Sequence, residues 1–124
     1  MASKQKKIDL RPTTLDLDLY SGDGVSILLT ITNNDGDPIP VDGAITAQIR
    51  KERLDTDIQA EFAVDLTDAA DGNLVVSLTG DQTAALIVDE PTFSGVWDIQ
   101  WVATGAQPRT LVQGQVTCDA DVTR

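Results

Sequence analysis

Gly95-Val96-Trp97-Asp98-Ile99-Gln100-Trp101-Val102-Ala103-Thr104, then Gly105-Ala106-Gln107-Pro108, then Arg109-Thr110-Leu111-Val112-Gln113-Gly114-Gln115-Val116-Thr117-Cys118, is the stretch that decides the fold. In the first arm Trp97, Ile99 and Trp101 alternate with Asp98 and Gln100, the period-two signature of a strand with one buried face. In the second, Val112, Gly114, Val116 and Cys118 share a face opposite Gln113, Gln115 and Thr117. The turn chemistry of Gly105 to Pro108 makes the two arms antiparallel neighbours. Both tryptophans of the protein lie here on one face, and each carries a large apolar area to bury. Gly114 is expected to leave room for an indole from the neighbouring strand. Trp97, Ile99, Trp101 and Val116 are therefore the expected core anchors.

Upstream the same alternation recurs. Leu15-Asp16-Leu17-Asp18-Leu19 puts leucines inward, and Arg11-Pro12 ahead of it implies an extended entry. After a turn at Ser21 to Gly24, Val25 to Thr32 aligns Val25, Ile27, Leu29 and Ile31. Asp35-Gly36 is a hairpin signal, while Pro38 and Pro40 keep Ile39 out of a central strand. Ala44 to Lys51 directs Ile45, Ala47 and Ile49 inward, Ala60 to Leu66 does so with Phe62, Val64 and Leu66, and Asn73 to Thr79 with Leu74, Val76 and Leu78. Thr79-Gly80-Asp81-Gln82 has capping-box spacing and predicts one short helical turn near 80–87, with no other helix. Seven strands at regular spacing predict an all-β, Ig-like antiparallel sandwich over 15–124, preceded by an extended basic arm over 1–14.

With 124 residues the chain is one domain, long enough for a real core. Aromatics are 4% of it, so the interior must be mostly aliphatic. No apolar run reaches the ~18 residues of a membrane span, and no secretory pattern opens the sequence. A cytoplasm-like compartment is expected, with Cys118 as a small apolar core residue. The net charge of −11 is unevenly spread. Residues 1–11 hold four basic residues (Lys4, Lys6, Lys7, Arg11) against one acidic, a net of +3. The remainder holds five against nineteen, a net of −14. Such a body is repelled by nucleic acid and anionic lipid, whereas the basic leader suits an acidic surface, including a neighbouring copy.

Histidine is absent, which removes the usual general base, the Ser-His and Cys-His pairs and most zinc sites. Carboxylates are the plentiful reactive groups. Asn33 to Asp37 fails the EF-hand order, because the position five before Gly36 is Ile31. Asp65, Asp68 and Asp71 share one connection and could meet a calcium ion through their oxygens, but aspartates at such positions are also the ordinary residues of solvated turns. No acidic residue lies inside an apolar run beside a partner, as an acid/base pair requires. No enzyme activity, cofactor, metal or small-molecule substrate is expected.

Tyr20-Ser21-Gly22-Asp23, Asp35 to Ile39 followed by Gly43 to Arg50, Gly72 to Thr79 leading into Gln82 to Leu86, Gly95 to Ile99 paired with Gly114 to Thr117, and the closing Val122-Thr123-Arg124 together resemble a known family. It is the small β-sandwich domain of tailed-bacteriophage virion proteins, similar in plan to the N-terminal domain of phage baseplate upper proteins. The resemblance runs from Leu15 onward; Pro38-Ile39-Pro40 is its least typical part. It implies a structural protein present in symmetric copies on the virion, assembled in the host cytoplasm, with no catalytic residues to carry over. The implied partners are major capsid or tail proteins and copies of itself, docked through the arm residues Lys4, Lys6, Lys7 and Arg11 and through strand edges. A lone module suits a head-decorating accessory, with tail, neck or baseplate as the alternative. The contrasting reading is a carbohydrate or host-surface binding module using Tyr20 or an exposed tryptophan.

Overall fold

The computed structural model describes residues 2–8, 13–33, 35–105 and 107–120, the first of these as backbone. Two sheets enclose one aliphatic core. The strands are β1 (Ala2–Ile8), β2 (Thr13–Thr14), β3 (Leu17–Tyr20), β4 (Val25–Ile31), β5 (Ala44–Arg50), β6 (Ala60–Glu61), β7 (Ala63–Asp65), β8 (Asn73–Leu78), β9 (Thr92–Val102) and β10 (Arg109–Asp119), with a short helix α1 (Gly80–Ala85). One sheet has the order β1-β4-β8-β7. The other runs β2-β10-β9-β5-β6, with β3 following β2 along β10. Setting β4-β8-β7 against β5-β9-β10 reproduces the strand arrangement of Ig-like sandwiches. The chain is an all-β sandwich.

Alternation explains the core. Val25, Ile27, Leu29 and Ile31 of β4, Leu74, Val76 and Leu78 of β8, and Ile45, Ala47 and Ile49 of β5 are all buried. Trp97 and Trp101 keep 2% and 7% of their surface exposed, and Ile99 and Val116 none. Complete burial of one such aliphatic side chain contributes about 1.5–3 kcal/mol.

The pairing is not wholly antiparallel. β2 and β3 run parallel to β10, and β1 runs parallel to β4. A period-two pattern is the same read in either direction, so the sequence is silent on this point. The stretch expected as an arm, 1–14, contributes β1 to the edge of one sheet and β2 to the edge of the other.

Other local expectations also need correction. Ala60 to Leu66 is two strands: β6 pairs with β5, and β7 pairs with β8 in the opposite sheet. The crossing is at Phe62, whose N–H donates to the Ala47 carbonyl and whose ring lies 5.4 Å from that of Trp97. Beyond it Leu66 is 37% exposed, because the chain is already turning away. A 3-10 turn at Ala69–Asp71, closed by Gly72 at φ 82°, adds a second helical element. The Asp35-Gly36 turn yields a single bridge, Thr32 to Pro38, because proline has no N–H for a ladder. In β10 the register shifts between Thr110 and Val112, a bulge that buries both Leu111 and Val112.

Gly114 makes room for something other than an indole. A Cβ there would overlap the main-chain carbonyl of Leu15. Trp97, its register partner on β9, donates its indole N–H to that same carbonyl.

Candidate functional site

Thr79 and Gln82 form the expected capping box, with Thr79 Oγ1 accepting from Gln82 N and Gln82 Oε1 from Thr79 N. The helix it starts carries Thr83, a fully buried polar residue. Thr83 Oγ1 accepts from Gly22 N and lies 3.0 Å from the carbonyls of Asp23 and Gly80, either of which can take its proton. The Thr83 carbonyl faces the Cys118 thiol at 3.6 Å. This cluster is a structural clamp joining α1, the 21–24 turn and β10. Burial, aided by neighbouring Asp119, pushes the Cys118 thiol up to about 11, which keeps it protonated and a poor nucleophile.

The acidic turns are satisfied locally. Asn33 Oδ1 accepts from the N–H groups of Asp35 and Asp37. Asp65 accepts from Thr67, whose side-chain and backbone hydrogen bonds hold its carboxyl below the usual range. Asp68 accepts from the Asn73 amide. Among the described residues no three acidic, cysteine or histidine side chains converge on a point that could hold a metal ion. None of their buried side-chain polar atoms lacks a partner. Their one helix of α type is six residues long, and none is long and apolar enough to cross a membrane.

On the outer face of the β5-β9-β10 sheet, Gln48, Arg50, Asp98, Thr110 and Gln113, with Arg53 from the following loop, line a shallow cleft of about 240 Å³. Arg50 donates to Gln48, Gln48 donates to Glu61 at 3.0 Å, and Arg50 lies 4.0 Å from Asp98. These half-exposed contacts order the face and add little stability. Exposed apolar side chains stand elsewhere: Leu54 at 92%, Val88 at 78% and Tyr20 at 55%.

Of the residues named from sequence, Trp97, Ile99, Trp101 and Val116 are together in the core. Both indole N–H groups are taken by backbone, Trp97 by Leu15 and Trp101 by Asp42. Neither indole is a stacking platform. Tyr20 is exposed at the end of β3 and has no tryptophan beside it on the surface. Lys4, Lys6 and Lys7 belong to β1, and Arg11 lies outside the described residues. Sequence reasoning missed Thr83, for which the only signal was a threonine one residue past a capping box.

The fold defined by these strands is that of an Ig-like β-sandwich. Among solved structures it is similar to the N-terminal domain of phage TP901-1 ORF48, with a TM-score of 0.50 and 15% identity over 98% of this chain and 99% of that one. At that identity the likeness is one of fold. A second match, the collagen binding subdomain of the Enterococcus faecalis surface protein ACE, covers 61% of this chain and 64% of that one at 12% identity. Its TM-score of 0.22 is too low to carry an argument. No family model matches the sequence, and no curated protein matches it.

Proposed function

We propose that this chain is a non-enzymatic structural protein of a tailed-phage particle, acting in the tail or baseplate through its outer faces and strand edges. The observation that carries the reading is the end-to-end match in fold to the N-terminal domain of a phage protein. The sequence resemblance to phage β-sandwich domains and to the N-terminal domain of baseplate upper proteins points the same way. Its chemistry agrees: the core is closed, the buried polar groups are used internally, and the surface is strongly acidic. The partners on this reading are major virion proteins and further copies of the chain. A place on the head, which a lone module suggested from sequence, has no feature of the fold in its favour.

Separation of purified particles into heads and tails, followed by mass spectrometry, tests the assignment. The chain is expected in the tail fraction at a fixed ratio to the tail proteins. Its recovery with heads would move it to capsid decoration, and its absence from particles would end the virion reading.

A further inference from the structure

We propose that β1 is an exchangeable strand, and that in an assembly its place along β4 is taken by residues 2–8 of a second copy of this chain. The observations concern the edge where β1 lies. All seven of its residues pair in parallel with β4, from Ala2 with Val25 to Ile8 with Ile31. Its sequence, Ala-Ser-Lys-Gln-Lys-Lys-Ile, holds five polar residues, so the strand brings little apolar area and depends chiefly on its backbone ladder. The register sets Lys4 beside Ile27 and Lys6 beside Leu29, two side chains with no exposed surface. Lysines in the sequence of an edge strand weaken its tendency to pair, so a strand as basic as this one is held loosely.

Beneath β1, in contrast, β4 is a fixed strand. It is held on its other side by antiparallel pairing with β8 from Val25 to Thr30. Removing β1 would therefore leave a rigid, preformed edge with unpaired backbone groups, a template for strand addition. A strand of the same sequence from another copy satisfies that edge with identical pairs, which no unrelated segment does.

Two further features favour a neighbour as the donor. Residues 1–11 carry a net charge of +3 and the rest of the chain −14, so an arm released from one body is drawn to another. Only four residues separate Ile8 from Thr13, where the chain passes from the edge of one sheet to the edge of the other. Connections of so few residues invite exchange between copies. The exchange costs no contacts, since the pairs made and broken are the same. At the crowding of a symmetric particle, it converts a marginal edge strand into a link between copies.

The test uses the register. Ser3 pairs with Ser26, so Ser3→Cys and Ser26→Cys place two thiols across the β1–β4 ladder, while Cys118 is buried. Two single variants, each shown by circular dichroism to keep the parent fold, are mixed at high concentration and oxidised. Their products are then read on a non-reducing gel. A mixed disulfide dimer is expected, forming at least tenfold faster than between Ser3→Cys and Thr56→Cys, which places a thiol on an exposed loop. Should either serine variant misfold, Gln5→Cys with Leu28→Cys reports on the same ladder. A mixed dimer forming no faster than the loop control overturns the proposal. So does cross-linking confined to the doubly substituted chain as monomer. The inference rests on the virion reading for its crowded setting, but the cross-link is measured on purified chain. Its failure would leave incorporation into particles standing.

Discussion

Trp97 on β9 donates its indole N–H to the main-chain carbonyl of Leu15 at 2.7 Å, beside the position on β10 that Gly114 leaves without a side chain. Three separate parts of the sequence meet there. Leu15 N also donates to the Gln113 carbonyl, and Asp16 Oδ1 accepts from Gln115 N, so the segment between β2 and β3 is pinned on both sides of the glycine. The last hairpin thereby fixes where the first strands lie.

Removing either half of this contact should destabilise the fold. Trp97→Phe keeps most of the ring but strips the carbonyl of its indole donor, a loss of about 1–3 kcal/mol. Gly114→Ala drives a methyl into the Leu15 carbonyl, and overpacking of this kind costs about 1–3 kcal/mol. Since both act through one carbonyl, the double variant should lose less than the sum. Urea unfolding midpoints of the four proteins check this, and strict additivity would show that the two residues act independently.

The hairpin, the core faces and the capped helix were legible because each depends on residues close in sequence. Trp97, Ile99 and Trp101 announce their face by spacing alone, and Thr79 and Gln82 announce the cap. What was hidden depends on partners far away. The parallel docking of β3 on β10 leaves no trace in Leu17 and Leu19, which would be buried in either direction. The role of Gly114 is hidden because the group it makes room for is the Leu15 backbone, 99 residues earlier in the chain, rather than the indole opposite it. Phe62 looks like the middle of one strand, yet the chain changes sheets there. The outer faces were the least legible, since a polar face such as Gln48, Arg50 and Asp98 has no periodicity beyond that of any solvated strand.

Thr83 should be more sensitive than its place on a six-residue helix suggests. Thr83→Val keeps the shape and removes the hydroxyl that receives Gly22 N and bonds to a carbonyl. The groups left unpaired should cost about 1–3 kcal/mol, and for a domain of this size each kcal/mol lowers the melting temperature by about 4 °C. Thr83→Ser retains the hydroxyl and should recover most of the loss. Equal melting temperatures for Thr83→Val and the parent would mean that the clamp is not stabilising.

Cys118 makes stability depend on alkaline pH. Its pKa is raised from 9.0 to about 11 in the fold, chiefly by burial and secondarily by Asp119, so the folded state favours the neutral thiol. Above pH 9 the unfolded chain releases this proton while the folded chain keeps it, and unfolding is favoured increasingly until about pH 11. The stabilisation is complete below pH 9 and is lost across that window. Cys118→Ala should flatten this part of the pH profile, even though it lowers stability at neutral pH by leaving a small cavity. At pH 8 the native thiol should resist a disulfide reagent that reacts promptly in urea. Equal labelling rates in the two states would place the thiol at the surface.

The two indoles also decide between a closed structural module and a binding module. Trp97 and Trp101 keep 2% and 7% of their surface, and their N–H groups bond to the carbonyls of Leu15 and Asp42. Native emission should therefore lie well to the blue of that in urea, and iodide should quench it several-fold less than in the unfolded chain. The anion is a demanding probe, because the acidic body repels it even from partly exposed sites. Acrylamide, which is neutral, must be used beside it, and weak quenching by both is the expected result. Strong acrylamide quenching of the native protein would put at least one indole on the surface. That would restore the aromatic platform a carbohydrate-binding role requires, and would count against a protein that works through its faces and edges alone.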